Sequence, residues 1–112
     1  DQTKLTTQAG GINYCIKKIY ELNPKATIYF FTSSKAFNDR GAYDPFYPKG
    51  MAEHVNMQKK VCELHGIPYL DQFTLGGYNV YNKDLYYHDP IHMNALGYKK
   101  LGELQVAFLA FP

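Results

Sequence analysis

Residues 26–31 read ATIYFF, and residues 67–70 read IPYL. Each run is short and contains β-branched and aromatic residues, as expected of a strand that is covered on both faces in a parallel sheet. The intervening residues 51–65 place apolar side chains at helical spacing, and Gly66 followed by Pro68 predicts the end of that helix. A strand, a helix and a second strand in this order predict a right-handed βαβ unit and a mainly parallel sheet.

Two further helices are predicted, one on each side of this unit. Residues 11–22 carry apolar side chains every three or four positions, and Asn23-Pro24 ends the pattern. Residues 95–108 form the last predicted helix, with Asn94 as its N-cap. The side chains expected to face the core from this helix are Leu101, Leu104 and Phe108.

The element order α-β-α-β-α predicts an α/β fold that is incomplete by itself. Two strands flanked by three helices cannot form a covered sheet, because such sheets usually have about five strands. We therefore expect a preceding segment of the domain, or a partner chain, to supply the other strands. The irregular residues 33–50 make a long connection for a compact domain, which indicates a functional loop after the first strand.

Composition and charge exclude several classes of protein. The 112 residues, 46% of them hydrophobic and 20% charged, have the composition of one globular domain and not of a disordered tail. No apolar run approaches the roughly 20 residues that a membrane-spanning helix needs. The formal charge is only +2 and Arg40 is the single arginine, which argues against a nucleic-acid partner. Residues 1–10 lack the features of a signal peptide, and we expect that the true N-terminus has been removed.

The two cysteines, Cys15 and Cys62, fall on the predicted inward faces of two different helices. They belong to no close-spaced motif, which favours two free core thiols over a disulfide or a zinc site. We therefore expect both thiols to react with a titrant once the protein is unfolded.

Residues 87–98, which read YHDPIHMNALGY, combine an acid and an imidazole just before the last predicted helix. Asp89 and His92 are three positions apart and can share one side of a turn. In a nucleophilic hydrolase, a histidine removes the proton from a serine while a carboxylate fixes the tautomer of that histidine. The alternative is structural: Asp89 caps a turn with Pro90 at its first position, and His92 is a surface residue.

His88 and His92 also raise the possibility of a metal site, because two histidines four positions apart can bind zinc from one helix face. Pro90 argues against this arrangement. It removes a backbone donor and biases Asp89 away from helical dihedral angles, so the two histidines do not lie on one face of a regular helix. No third ligand is obvious from the sequence, and we predict no metal.

The run from Asp89 to Tyr98 resembles the last sequence block of the SGNH, or GDSL-type, hydrolases. In that block an Asp-x-x-His is followed by a polar turn and by a Gly-aromatic pair inside the closing helix. The resemblance extends upstream. The family's last two strands and the segments that lead into them are similar to Asn23-Pro24-Lys25-Ala26 with the strand IYFFT, and to the segment IPYLDQF. The resemblance implies a three-layer α/β/α sandwich with a mainly parallel, flavodoxin-like sheet, of which residues 1–112 form the C-terminal half.

The same resemblance assigns roles to residues of this chain. His92 would be the general base and then the general acid, Asp89 would orient it, and Asn94 and Gly97 would be structural. The nucleophilic serine and the glycine and asparagine of the oxyanion hole would lie on a preceding segment, and no cofactor is implied. The only serines, at positions 33 and 34, lack a glycine elbow and are interpreted as loop residues.

The resemblance implies an ester hydrolase whose partners are the N-terminal half of the same domain and an acyl ester, commonly an acetyl ester of a carbohydrate. The aromatic stretches 43–47 and 78–87 are suited to sugar faces, with Tyr86 and Tyr87 as the expected contacts. The alternative is that these tyrosines pack on the sheet. The competing function is a catalytically idle, glycan-binding or structural module of a cell-surface or viral appendage. The expected location is extracellular, at the cell surface or on a virion.

Overall fold

The structure is a computed structural model that describes residues 7–37 and 51–111. The aromatic stretch 43–47, which the sequence predicts to face a sugar, lies outside the described residues. The described elements alternate between helix and strand in the predicted order, with two additional short helices before the last one. The architecture is mixed α/β and mostly helical.

The first helix, α1 (Gln8–Leu22), begins three residues earlier than its apolar pattern predicts. The reason is a capping residue outside that pattern. The hydroxyl of Thr7 accepts a hydrogen bond of 3.0 Å from the backbone amide of Gly10, which satisfies a donor of the first helical turn. The helix ends at Asn23, whose amide donates to the carbonyl of Ile19, and Pro24 prevents its continuation.

The central βαβ prediction is confirmed. Strand β1 (Phe30–Phe31) pairs in parallel with β2 (Tyr69–Leu70), and α2 (Met51–His65) lies between them in the chain. The register places Phe30 opposite Tyr69 and Phe31 opposite Leu70. Both strands are shorter than the predicted runs.

Three helices follow the second strand: α3 (Gln72–Leu75), α4 (Lys83–Tyr86) and α5 (Ala95–Ala110). The first two are single turns that the sequence pattern does not predict, because four residues are too few to show helical periodicity. The last one begins at its predicted residue and packs against α4.

Helices contact both faces of the short sheet. Successive residues of a strand point to opposite faces. Phe30 packs on a core cluster with α1 and α2, whereas the neighbouring Phe31 meets the ring of Phe108 in α5, with the ring centroids 6.0 Å apart. The ring of Tyr29 also meets that of Phe108 edge-on at 6.1 Å. Two paired strands are, however, too few to form the sheet of the predicted three-layer sandwich.

Among the residues that the structure describes, two separate hydrophobic core clusters are present. The first lies between α1, α2 and the sheet and consists of Ala9, Ile16, Val61, Cys62 and Ile67. The second lies under the chain that leads to α5 and consists of Phe37, Tyr78, Tyr87, Met93 and Leu101. We call the second set the tyrosine cluster.

The two cysteines occupy different environments. Cys62 is fully buried in α2, and burial raises the pKa of its thiol to about 11. Cys15 is exposed, so the prediction that it faces the core is wrong. The apolar stripe of α1 is wider than the core contact: Ile12 and Ile16 reach the first core cluster, whereas Cys15 does not. Both thiols are free in the structure.

An apolar groove remains open between α1 and β1. Its volume is about 540 Å³, and the residues that line it are Gln8, Gly11, Ile12, Cys15, Ile16, Ile19, Ile28, Tyr29 and Phe30. The outer edge of β1 has no strand partner among residues 7–37 and 51–111. An unpaired strand edge beside an apolar groove is a surface on which another chain segment can pair.

Within the same residues, no helix is long and apolar enough to cross a membrane.

We expect the isolated 112-residue chain to show no cooperative thermal unfolding transition, because the groove and the edge of β1 leave the first core cluster open on one side. Differential scanning calorimetry measures the transition, and binding of a hydrophobic fluorescent dye to the unheated chain reports the open groove. A sharp calorimetric peak without dye binding would show that the chain is a complete domain.

Candidate active site at the Asp89 turn

The chain reverses direction between Tyr87 and Met93, and backbone hydrogen bonds close the neck of this loop. The two residues form an antiparallel bridge. Inside the bridge, the amide of His88 donates to the carbonyl of His92 at 3.0 Å, and outside it the amide of Asn94 donates to the carbonyl of Tyr86 at 2.8 Å. Residues 88–92 are therefore held as a small loop on a closed base.

The two carboxylate oxygens of Asp89 have different partners. Oδ1 accepts hydrogen bonds from the backbone amides of Ile91 and His92, both at 2.7 Å. Oδ2 lies 2.8 Å from Nδ1 of His92. The two interpretations of Asp89 that the sequence leaves open therefore both describe its geometry: one oxygen caps the turn, and the other contacts the imidazole.

These contacts determine the charge of Asp89. The hydrogen bonds from the amides of Ile91 and His92, followed by the contact with the His92 ring, lower the pKa of Asp89 from 3.8 to about 2. An ionised carboxylate only accepts hydrogen bonds, so the ring nitrogen that faces it carries the proton. The neutral His92 ring then has Nδ1–H toward Asp89 and an unprotonated Nε2.

The His92 side chain is 63% exposed. Its Nε2 lone pair is therefore accessible to a hydroxyl group supplied from outside the loop. A base with this geometry can remove a proton from such a hydroxyl, and the carboxylate of Asp89 stabilises the imidazolium that forms. This arrangement is chemically competent for general acid–base catalysis.

Asn94 and Gly97 join the loop to α5. The side-chain carbonyl of Asn94 accepts from the amide of Gly97 at 2.9 Å, which confirms the predicted N-cap, and its amide group donates to the carbonyl of Leu85 at 2.9 Å. At Gly97, a Cβ atom would lie 2.2 Å from the carbonyl oxygen of Tyr86. A glycine is thus required for the first turn of α5 to lie against the end of α4.

The two predicted substrate tyrosines differ in exposure. Tyr87 is only 7% exposed, and its hydroxyl donates to the backbone carbonyl of Lys35. Burial raises its pKa to about 12. Its ring packs edge-on against Phe37 and Tyr78, with centroids 5.0 and 5.5 Å away. This corrects the expectation of a ring open to a ligand, because tertiary packing encloses it.

Tyr86 is only half-buried. Its ring meets Tyr78 edge-on at 5.5 Å, and the Lys100 ammonium lies 5.5 Å from the ring centroid. The remaining exposed part of the ring can still contact a ligand. The substrate role of Tyr86 and Tyr87 stays a prediction.

The loop is also tied to the segment that follows β1. The amide of Phe37 donates to the carbonyl of Pro90 at 2.7 Å. A cavity of about 130 Å³ lies beside this contact, and its lining residues are Phe37, Lys83, Asp84, Tyr87, His88, Asp89 and Pro90. His92 does not line this cavity. The sequence gives no signal for Phe37, because its contact with the loop joins distant parts of the chain.

Neither serine of the chain is hydrogen-bonded to His92. The amide of Ser33 donates to Oε1 of the buried Gln58, and Nε2 of Gln58 donates to the Ser33 hydroxyl, both at 3.0 Å. These bonds fix the segment after β1 on α2. They agree with the interpretation of Ser33 as a loop residue.

The structure changes the interpretation of His88. The prediction that His88 and His92 do not lie on one face of a regular helix is confirmed, but the loop still brings the two residues together. The rings of His88 and His92 are stacked, with centroids 5.8 Å apart, because the closed neck of the loop places the two residues opposite each other. Nε2 of His88 lies 3.7 Å from Oδ2 of Asp89.

No family model and no curated protein matches the chain. A protein of known crystal structure has a similar fold, with a TM-score of 0.77 and 23% sequence identity over 90% of this chain. The match covers 50% of that protein, so the present chain spans about half of its length. At this identity, the similarity concerns the fold alone.

We expect Gly97→Ala to destabilise the natural full-length protein by about 2 kcal/mol or more, because the added methyl group forces the backbone of Tyr86 away from α5. Gly102→Ala is the matched control in the same helix, since a Cβ there meets no atom within 4 Å. This control is expected to be neutral or to stabilise by about 0.5–1 kcal/mol. Chemical denaturation measures both; equal effects would refute the close approach at Gly97.

We expect the pKa of Asp89 to stay below 3.8 in His92→Ala, because the hydrogen bonds from the amides at positions 91 and 92 lower this pKa most and remain in that variant. Since the folded pKa is lowered, the contribution of Asp89 to stability is complete above about pH 4 and is lost as the pH falls toward 2. Carboxyl ¹³C NMR measures the titration. An ordinary pKa in His92→Ala would show that the imidazole alone holds the charge.

Proposed function

We propose that this chain is the C-terminal half of an SGNH-type ester hydrolase domain, in which Asp89 and His92 are the acid and the base of a serine triad. The observation that supports this most directly is the 2.8 Å contact between Oδ2 of Asp89 and Nδ1 of His92. It occurs in the Asp-x-x-His block that resembles the family, and it leaves Nε2 accessible.

In the proposed reaction, Nε2 of His92 accepts the proton of a serine hydroxyl while the serine oxygen attacks the ester carbonyl. The imidazolium is stabilised by the carboxylate of Asp89. It then donates the same proton to the departing alcohol oxygen, which leaves an acyl-enzyme. Water repeats the sequence: His92 takes its proton, the acyl group leaves as the acid, and the serine regains its hydrogen.

The serine requires a second half of the domain, and the open side of the present chain supports such a partner. The groove between α1 and β1 is apolar, and the adjoining edge of β1 is unpaired among residues 7–37 and 51–111. A further parallel strand at this edge would extend the sheet toward the usual number of about five. With α1 and α2 on one face and α5 on the other, the completed domain would be a three-layer α/β/α sandwich.

The proposed substrate is an acyl ester, with an acetylated carbohydrate as the preferred class. The exposed part of the Tyr86 ring, beside the ammonium of Lys100, is suited to stacking on a sugar. Tyr87 would support the Tyr86 side of the substrate site from the core, since its hydroxyl is already bonded to the backbone carbonyl of Lys35.

A second candidate function is an idle module that binds glycans or serves as a structural domain. The observation in its favour is the capping role of Asp89: the bonds from the amides of Ile91 and His92 explain this residue without any chemistry. The proposals differ in what they require of His92, since a structural cap needs only its backbone amide.

We expect His92→Ala to lower kcat for an aryl acetate by roughly three orders of magnitude or more in the natural full-length protein. Its thermal midpoint should change little, because the side chain is 63% exposed. In Asp89→Asn, the side-chain carbonyl oxygen can still accept the hydrogen bonds from the backbone amides of Ile91 and His92. The NH₂ group of the asparagine then faces Nδ1 of His92. That contact favours the tautomer protonated at Nε2, and a comparable loss follows.

The matched control is His54→Ala, which removes another exposed histidine far from the loop in the chain and should retain the parental rate. Parental hydrolysis by His92→Ala would overturn the catalytic role of this residue. Absence of esterase activity from the natural protein, with retained glycan binding, would favour the idle module.

A further inference from the structure

The loop that carries Asp89 gathers three metal-ligating side chains at one exposed point. One ligand atom each from His88, Asp89 and His92 lies within 4.8 Å of the other two. Oδ2 of Asp89 is central, at 3.7 Å from Nε2 of His88 and 2.8 Å from Nδ1 of His92.

The backbone fixes this grouping. The bridge between Tyr87 and Met93, and the hydrogen bond from the amide of His88 to the carbonyl of His92, make the two histidines partners across the neck of the loop. Their rings are stacked with an interplanar angle of 23°. The chain reversal at Pro90 thus brings His88 and His92 together. In a regular helix, the helical repeat would bring two residues four positions apart together.

We propose that His88, Asp89 and His92 form a binding site for Zn²⁺ or a similar borderline transition-metal ion. Two imidazole nitrogens and one carboxylate oxygen are ligands that Zn²⁺ accepts, whereas Mg²⁺ and Ca²⁺ prefer oxygen alone. A tetrahedral ion with bonds of about 2.0–2.2 Å holds its ligand atoms about 3.3 Å apart.

A rotation of the histidine rings would bring the three ligand atoms, which now lie within 4.8 Å of one another, to that spacing. The contacts of Oδ2 with the two ring nitrogens, at 2.8 and 3.7 Å, lie on either side of it. Both histidine side chains are more than 60% exposed, so they can rotate and water can occupy the fourth position. Oδ1 of Asp89 is held by the amides of Ile91 and His92, which leaves Oδ2 facing the two imidazole rings.

Metal binding at this site has a consequence that rests on the proposed function. Zn²⁺ would take the Nδ1 lone pair of His92, so the proton on Nδ1 is released to solvent. The neutral ring takes another proton from solvent at Nε2, and no lone pair remains there to accept the serine proton. The metal-bound and catalytic states of His92 therefore exclude each other, and the metal is an inhibitor.

The test titrates the natural full-length protein with ZnCl₂ by calorimetry and repeats the titration with MgCl₂. We expect one Zn²⁺ per chain at this site and no Mg²⁺ binding. His88→Ala should weaken Zn²⁺ binding by at least about tenfold, since loss of even an indirect partner of a metal ligand costs that much. His54→Ala and Cys15→Ser are controls for another exposed histidine and for the exposed thiol, and both should bind as the parent does.

The second measurement is hydrolysis of an aryl acetate with and without Zn²⁺. Zn²⁺ should lower the rate of the parent, whereas the rate of His88→Ala with Zn²⁺ should be close to the rate of the same variant without it. Equal Zn²⁺ affinity in the parent and His88→Ala would overturn the metal site, whether or not the protein is an esterase. If the protein has no esterase activity, ¹⁵N NMR of the His92 ring still tests whether Zn²⁺ displaces the proton from Nδ1. A proton that stays on Nδ1 while Zn²⁺ is bound would overturn the proposal that the metal-bound and catalytic states exclude each other.

Discussion

The candidate site depends on the two hydrogen bonds that the amides of Ile91 and His92 donate to Oδ1 of Asp89. They close the turn, hold the carboxyl group ionised and direct Oδ2 toward the imidazole. Since an ionised carboxylate only accepts hydrogen bonds, the His92 ring must place its proton on Nδ1. One side chain thereby sets the geometry of the loop, its charge and the tautomer of its histidine.

The tyrosine cluster positions this loop on the rest of the chain. Tyr87 packs between Phe37 and Tyr78, and its hydroxyl bonds to Lys35 after β1. The amide of Phe37 bonds to Pro90 inside the loop. Because Gly97 has no side chain, the end of α4 can pack directly against α5. The exposed Asp–His pair therefore rests on a buried aromatic support that joins the carboxyl end of β1 to the start of α5.

The architecture places the loop and the open groove in different parts of the molecule. The groove belongs to α1 and β1, beside the first core cluster, whereas the loop rests on the tyrosine cluster. Phe31 contacts α5 while Phe30 faces α1 and α2, so β1 connects the first core cluster to α5. In the proposed domain, a partner segment in the groove would extend the sheet without covering the Asp–His pair, which must remain accessible to its serine.

Local patterns in the sequence determined the bounds of α2, the cap at Asn94 and the parallel pairing of the two strands, because helical spacing, a capping side chain and β-strand composition act over a few residues. They also located Asp89 and His92 in one turn. Only the tertiary structure decided that Cys15 is exposed, that Tyr87 is buried and that His88 lies beside His92. The physical reason is that these properties depend on which surfaces meet: the partner of the Tyr87 hydroxyl is 52 residues away, and the two histidines meet across a closed loop neck that helical spacing does not describe.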